Sequence, residues 1–193
     1  MAEKKAIVIL AGKANLAGSG AGLDKLLKKA AVFTMYTAGE LVDGAVEAGA
    51  VIRLQPDGVM SAVKKGFSLA LVDLGDAGTA ALDSALNAII EASDRRTVIA
   101  VAVGNALAFY GTGINAKAGK LERAAAAKDI FPTLAYIADF PLTGECTGAI
   151  LYQALKSPNL KMEELGKLKE AIARMEGALA RDSREPWDKH DCA

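Results

Sequence analysis

Thr97-Val-Ile-Ala-Val-Ala-Val-Gly-Asn-Ala106 decides the reading of this chain. Seven residues without a charge, rich in valine and isoleucine, predict a strand over Thr97–Val103 that is covered on both faces, as strands of a parallel sheet are. The Gly-Asn pair that follows turns the chain at the end of that strand, where an α/β enzyme keeps its ligands. Working outward, similar apolar runs at Ala6–Leu10, Val51–Leu54 and Ser68–Leu74, with shorter ones at Val32–Thr34 and Leu107–Tyr110, predict further strands. Between and after them, helical patterns are expected at Gly22–Lys29, Gly39–Ala48, Asp57–Lys65, Thr79–Ser93, Lys128–Ala138 and Thr147–Leu155. The alternation implies an α/β fold: a three-layer, doubly wound, mostly parallel sheet.

The bounds agree with that class. A chain of 193 residues is long enough to bury a substantial core, and with 52% hydrophobic but only 5% aromatic residues, alanine, valine and leucine must fill it. Lysine and arginine number 23 against 23 acids, with no block of like charge, which argues against a nucleic-acid partner. The first apolar run ends at Lys13, too soon for a membrane span or a signal peptide, so the expected location is cytoplasmic and no membrane partner is expected. Cys146 and Cys192 form neither a disulfide framework nor a zinc spacing, and reduced thiols are the default.

The expected organisation is an α/β domain over residues 1–158, a C-terminal helix over 159–181 and a polar tail over 182–193. Ser157-Pro158-Asn159 supplies the start signal for the helix. Leu165, Leu168, Ile172, Met175 and Leu179 then recur at alternating spacings of three and four, one apolar seam that either docks on its own sheet or joins a homodimer. The pairs Glu163 with Lys167 and Glu170 with Arg174 support the helix.

Several stretches resemble one family. Thr97–Ala106 resembles the Thr-Leu-Leu-Ile-Thr-Ala-Asp-His-Gly-Asn-Ala motif of cofactor-independent phosphoglycerate mutases, in the alkaline phosphatase superfamily, except that Val103 stands where the Asp-His pair of metal ligands would be. Ala6–Gly12 is similar to the opening strand whose terminal aspartate binds metal; here that position is Ala11. Ser68–Thr79 is similar to a strand ending in an Asp-x-x-Gly-His motif, with Asp76 and Gly78 present and Thr79 in the histidine's place. Asp129-Ile-Phe-Pro-Thr-Leu134 and the stretch that follows it to Gly148 resemble the family's Asp-Ile-Ala-Pro-Thr-Leu helix and its exit turn. Together the similar pieces span roughly residues 4–155.

The resemblance implies a scaffold for phosphoryl transfer from which the ligands have been replaced. A methyl group cannot coordinate a divalent cation, and the chain's one histidine, His190, sits in the tail. No cofactor is expected; magnesium would have only Asp73 and Asp76 as acids near one strand end. Thr37, after Phe33-Thr-Met-Tyr, is similar in place to a sulfatase-type nucleophile, but nothing nearby would activate it and an ordinary helix cap explains it better. The expected crevice is Ala11, Gly12, Asp73, Asp76, Thr79, Gly104 and Asn105, for a small anionic ligand or a protein partner. The alternatives are a phosphohydrolase or mutase with a remodelled site, and an assembly module built on the C-terminal seam. Gly18-Ser-Gly-Ala-Gly22 reads either as a flexible turn or as a loop whose N–H groups face an anion.

Overall fold

The structure, a computed structural model, describes residues 4–39, 41, 51–55, 58, 67–144 and 146–182, with the backbone alone at 160, 161 and 180–182. The chain divides into two units, Met1–Pro158 and Asn159–Ala193. In the first, the strands are β1 (Lys5–Ala11), β2 (Ala31–Thr37), β3 (Val51–Leu54), β4 (Leu69–Asp73), β5 (Thr97–Val103), β6 (Ala106–Gly111) and β7 (Gly119–Ala126). The helices are α1 (Ala21–Leu27), α2 (Thr79–Ala92) and α3 (Ile130–Ala138). The second unit carries α4 (Leu160–Asp182).

One seven-stranded sheet runs in the order β3-β4-β1-β5-β6-β2-β7. It is mixed but mostly parallel: only β6 runs against its neighbours β5 and β2. The reversal is made at Gly104-Asn105, a two-residue turn closed by the pairing of Val103 with Ala106. Gly104 has φ 48°, a left-handed value that glycine accepts without the clash of a Cβ, and a first-position glycine of this kind matches the twist of a hairpin. The corner read from sequence as ligand-bearing is therefore a hairpin turn, and Thr97–Val103 is the buried strand that was expected, with all seven residues covered.

Alternation along the strands sends side chains to two cores, one on each face. Ala6 and Val8 of β1, with Val98, Ala100 and Ala102 of β5, face α3, whose Ile130, Phe131, Leu134 and Ile137 are buried against them. Ile7, Ile9 and Ala11, with Ile99, Val101 and Val103, face α1 and α2 through Leu23, Leu26, Leu82, Leu86 and Ile89. Aromatic residues are few but central: Phe33 and Phe109 meet edge to face, with centroids 6.1 Å apart.

Two expectations are corrected. The segment Thr147–Leu155 is not a helix; a single 3₁₀ turn at Tyr152–Ala154 is its only regular element. Its backbone donors are spent elsewhere. Ala149 N donates to Asp129 Oδ1 at 2.8 Å and Leu151 N to the buried Thr133 Oγ1 at 3.0 Å, while Gly148 lies so close that a β-carbon there would collide with the Lys128 carbonyl. The second correction is β7, which sequence reading passed over. Thr37, expected just ahead of a helix, is the last residue of β2 and pairs with Ala126 of β7. The helices expected at Gly39–Ala48 and Asp57–Lys65 fall largely outside the described residues, as does the tail with Trp187, His190 and Cys192.

Candidate functional site

Because β1, β4 and β5 run parallel, their carboxyl ends lie side by side: Ala11 is level with Val103, and Leu10 with Asp73. The fold thus brings Ala11, Gly12, Asp73, Asp76 and Gly104 to one edge of the sheet, with Thr79 at the start of α2. Asn105 joins them through the hairpin, its carbonyl accepting Tyr36 N at 3.0 Å. Thr37 ends on the same edge, beyond β6, and is exposed.

What lies over those strand ends is the loop 12–20. It is stitched down at each step. Gly12 N donates to the Gly75 carbonyl at 2.9 Å, and Asn15 N donates to Thr79 Oγ1 at 3.2 Å. Ala14 and Leu16 are buried with Ala11 and Val103 in one apolar cluster, and the Ala14 carbonyl sits where it would be in van der Waals contact with a β-carbon on Gly104. The loop thus lays buried apolar side chains over the ends of β1 and β5, where this class of fold usually opens a crevice, and leaves the end of β4 at Asp73 beside two cavities.

The acids at this edge are engaged. Asp73 Oδ1 accepts the Gly75 N–H at 2.8 Å, an Asx-type turn that shapes the exit of β4. Asp76 Oδ2 is 2.6 Å from Lys13 Nζ, so the loop brings its own ammonium to the carboxylate. Both partners are largely exposed, and the pair contributes little to stability. For magnesium this is a poor donor set: one carboxylate holds a turn, the other holds a lysine. Among the described residues no group of three or more histidine, cysteine, aspartate or glutamate side chains is arranged to hold a metal ion.

The glycine loop has a different occupant from either sequence reading. Asp83, on α2, projects its carboxylate to the start of α1, where Oδ1 accepts Leu23 N at 2.8 Å. A β-carbon at Gly20 would collide with that carboxylate, and one at Gly22 with the Asp83 carbonyl and Asn87 N. The glycines permit close helix approach, and the anion at the α1 N-terminus is the protein's own side chain. Sequence reading missed Asp83 because its partner lies some sixty positions away.

Two cavities open at this edge beside Asp73. One of about 190 Å³ is lined by Arg53, Leu54, Gln55, Leu71 and Asp73, and a shallower one of about 520 Å³ runs from Asp73 and Leu74 along Ala77, Ala81, Ala85 and Ala88. Another, about 290 Å³, lies at the opposite end of β5, with Lys29, Arg95, Tyr110 and Thr112 in its wall. Asp94 beside it is held below the usual aspartate range, chiefly by the Arg96 N–H that it accepts at 2.9 Å.

Searches against protein-family models, curated proteins and solved structures return no match to this chain. Among the described residues no helix is long and apolar enough to cross a membrane.

Proposed function

We propose that this chain is a non-catalytic relative of alkaline phosphatase-like enzymes, acting by binding a partner protein rather than by turning over a phosphate ester. The observation that carries the reading is the loop 12–20 lying across the ends of β1 and β5, with its own Ala14 and Leu16 buried and Lys13 paired with Asp76. Metal-assisted phosphoryl transfer needs a cation held by free carboxylates and an opening for the ester. Here the better-placed acid faces an ammonium, and the start of α1 faces the carboxylate of Asp83. A small anionic ligand also needs a concave seat with convergent donors, and both cavities beside Asp73 carry that carboxylate in their walls, which favours a partner surface over a small-anion site at this edge.

The test is elemental analysis of the purified chain after exposure to zinc, manganese and magnesium and removal of loose ions, followed by a phosphate-ester panel. The expected result is no stoichiometric metal and no turnover. Near-stoichiometric metal, or turnover lost in Asp76→Ala, would overturn the proposal in favour of a remodelled hydrolase. Saturable binding of inorganic phosphate, lost in Lys13→Ala, would replace the partner with a small anion.

A further inference from the structure

The seam on α4 is continuous along the helix and its side chains are exposed. Leu165, Leu168, Ile172, Met175 and Leu179 are between 44% and 67% exposed, the longest run of exposed large apolar side chains among the described residues. A 23-residue helix containing Gly166 and Gly177 is marginal by itself in water, since each glycine costs about 1 kcal/mol relative to alanine. Such a helix is stable when its apolar stripe is covered.

We infer that what covers it is the α4 of a second copy of this chain, aligned parallel and in register as a short two-stranded coiled coil. With Leu165, Ile172 and Leu179 at the first apolar position of each heptad and Leu168 and Met175 at the second, a parallel pair stacks five apolar layers. Both glycines fall on outward positions and leave the seam unbroken. The flanks are compatible with this arrangement. In a parallel pair Glu164 of one copy faces Lys169 of the other, twice by symmetry, while Glu176 faces the uncharged Ala171. Over these five layers no like charges oppose each other; one heptad beyond them, at the ends of the helix, Lys161 and Asp182 fall on the second apolar position and each meets its own copy. Antiparallel alignments that match the two kinds of apolar position engage only four layers; of the two best, one sets Lys169 against its own copy and the other sets Lys169 against Glu176, so the fifth apolar layer is what favours the parallel pair.

Sedimentation equilibrium of the full chain tests this. The expected result is a dimer at low micromolar concentration that Ile172→Glu converts to a monomer while the melting transition of the α/β unit is retained. Lys169→Glu should raise the dissociation constant at least about tenfold, and adding Glu164→Lys should restore it. A full chain that stays monomeric at about 100 μM, or a dimer indifferent to Ile172→Glu, would overturn the inference. Failure of the charge swap to restore association would overturn the parallel register.

Discussion

Asp129 and Thr133 show how much one pair of side chains can organise. Asp129 accepts Ala126 N through one oxygen and Ala149 N through the other, and Thr133 donates to the Asp129 carbonyl at 2.7 Å while accepting Leu151 N. Two stretches of chain on either side of α3 are thereby tied to its first turn. Asp129→Ala leaves two backbone donors in a largely buried setting without acceptors, and should destabilise the unit by about 2–4 kcal/mol in urea denaturation. Asp129→Asn, which keeps one acceptor oxygen, should cost about half as much. The motif that resembles a family signature is thus accounted for by the segment it anchors. Its aspartate was visible in the sequence, but its partners were not, because Ala149 and Leu151 contribute only backbone N–H groups. Lys13 offered a plainer signal, a lone ammonium directly after a buried strand, and its meaning depended on Asp76 being folded beside it.

At the scale of elements, what a sequence displays depends on whether burial is written into residue type. β1, β4 and β5 are uncharged or nearly so and were legible as covered strands, because only burial on both faces explains such runs. β7 was not legible. Gly119-Lys-Leu-Glu-Arg-Ala-Ala-Ala126 contains strong helix formers, and it is a strand because its backbone completes the edge of the sheet beside β2. Its lysine, glutamate and arginine suit an exposed edge, where charge discourages further pairing. Thr147–Leu155 failed the other way: a helical pattern was overridden by side-chain acceptors on a neighbouring helix. The glycines at 18, 20 and 22 were read for conformational freedom when proximity was their purpose.

For the molecule as a whole, the core sets the response to alkaline pH. Burial pushes the Tyr36 phenol above its ordinary value of 10.0. In the unfolded chain that phenol ionises near 10, whereas in the folded chain it keeps its proton. Folding stability is therefore unaffected by this group below pH 10 and falls as pH rises past it, until the folded phenol also ionises. Urea midpoints compared at about pH 9 and about pH 11 should drop for the native chain, and by less for Tyr36→Phe. The α/β class and the mostly parallel sheet were readable from the sequence. The covering of the β1 and β5 strand ends was not, because it is made by a short loop whose alanine and leucine carry no chemical signature.

The hairpin at Gly104-Asn105 also has a consequence in time. Every other pairing in this sheet joins strands that are not consecutive in the chain, apart from β3 with β4, and each requires a crossover to be closed first. β5 and β6 need only a two-residue reversal, an event on the microsecond scale, before β1 arrives from the far end of the sequence. This hairpin is therefore the natural nucleus of folding. Leu107→Ala, in β6, should slow refolding in stopped-flow experiments by most of its equilibrium cost, whereas Leu71→Ala, in β4, should chiefly accelerate unfolding. Equal partition at the two sites would remove the hairpin from that role. As that nucleus, a two-residue turn sets the speed at which the protein comes into being.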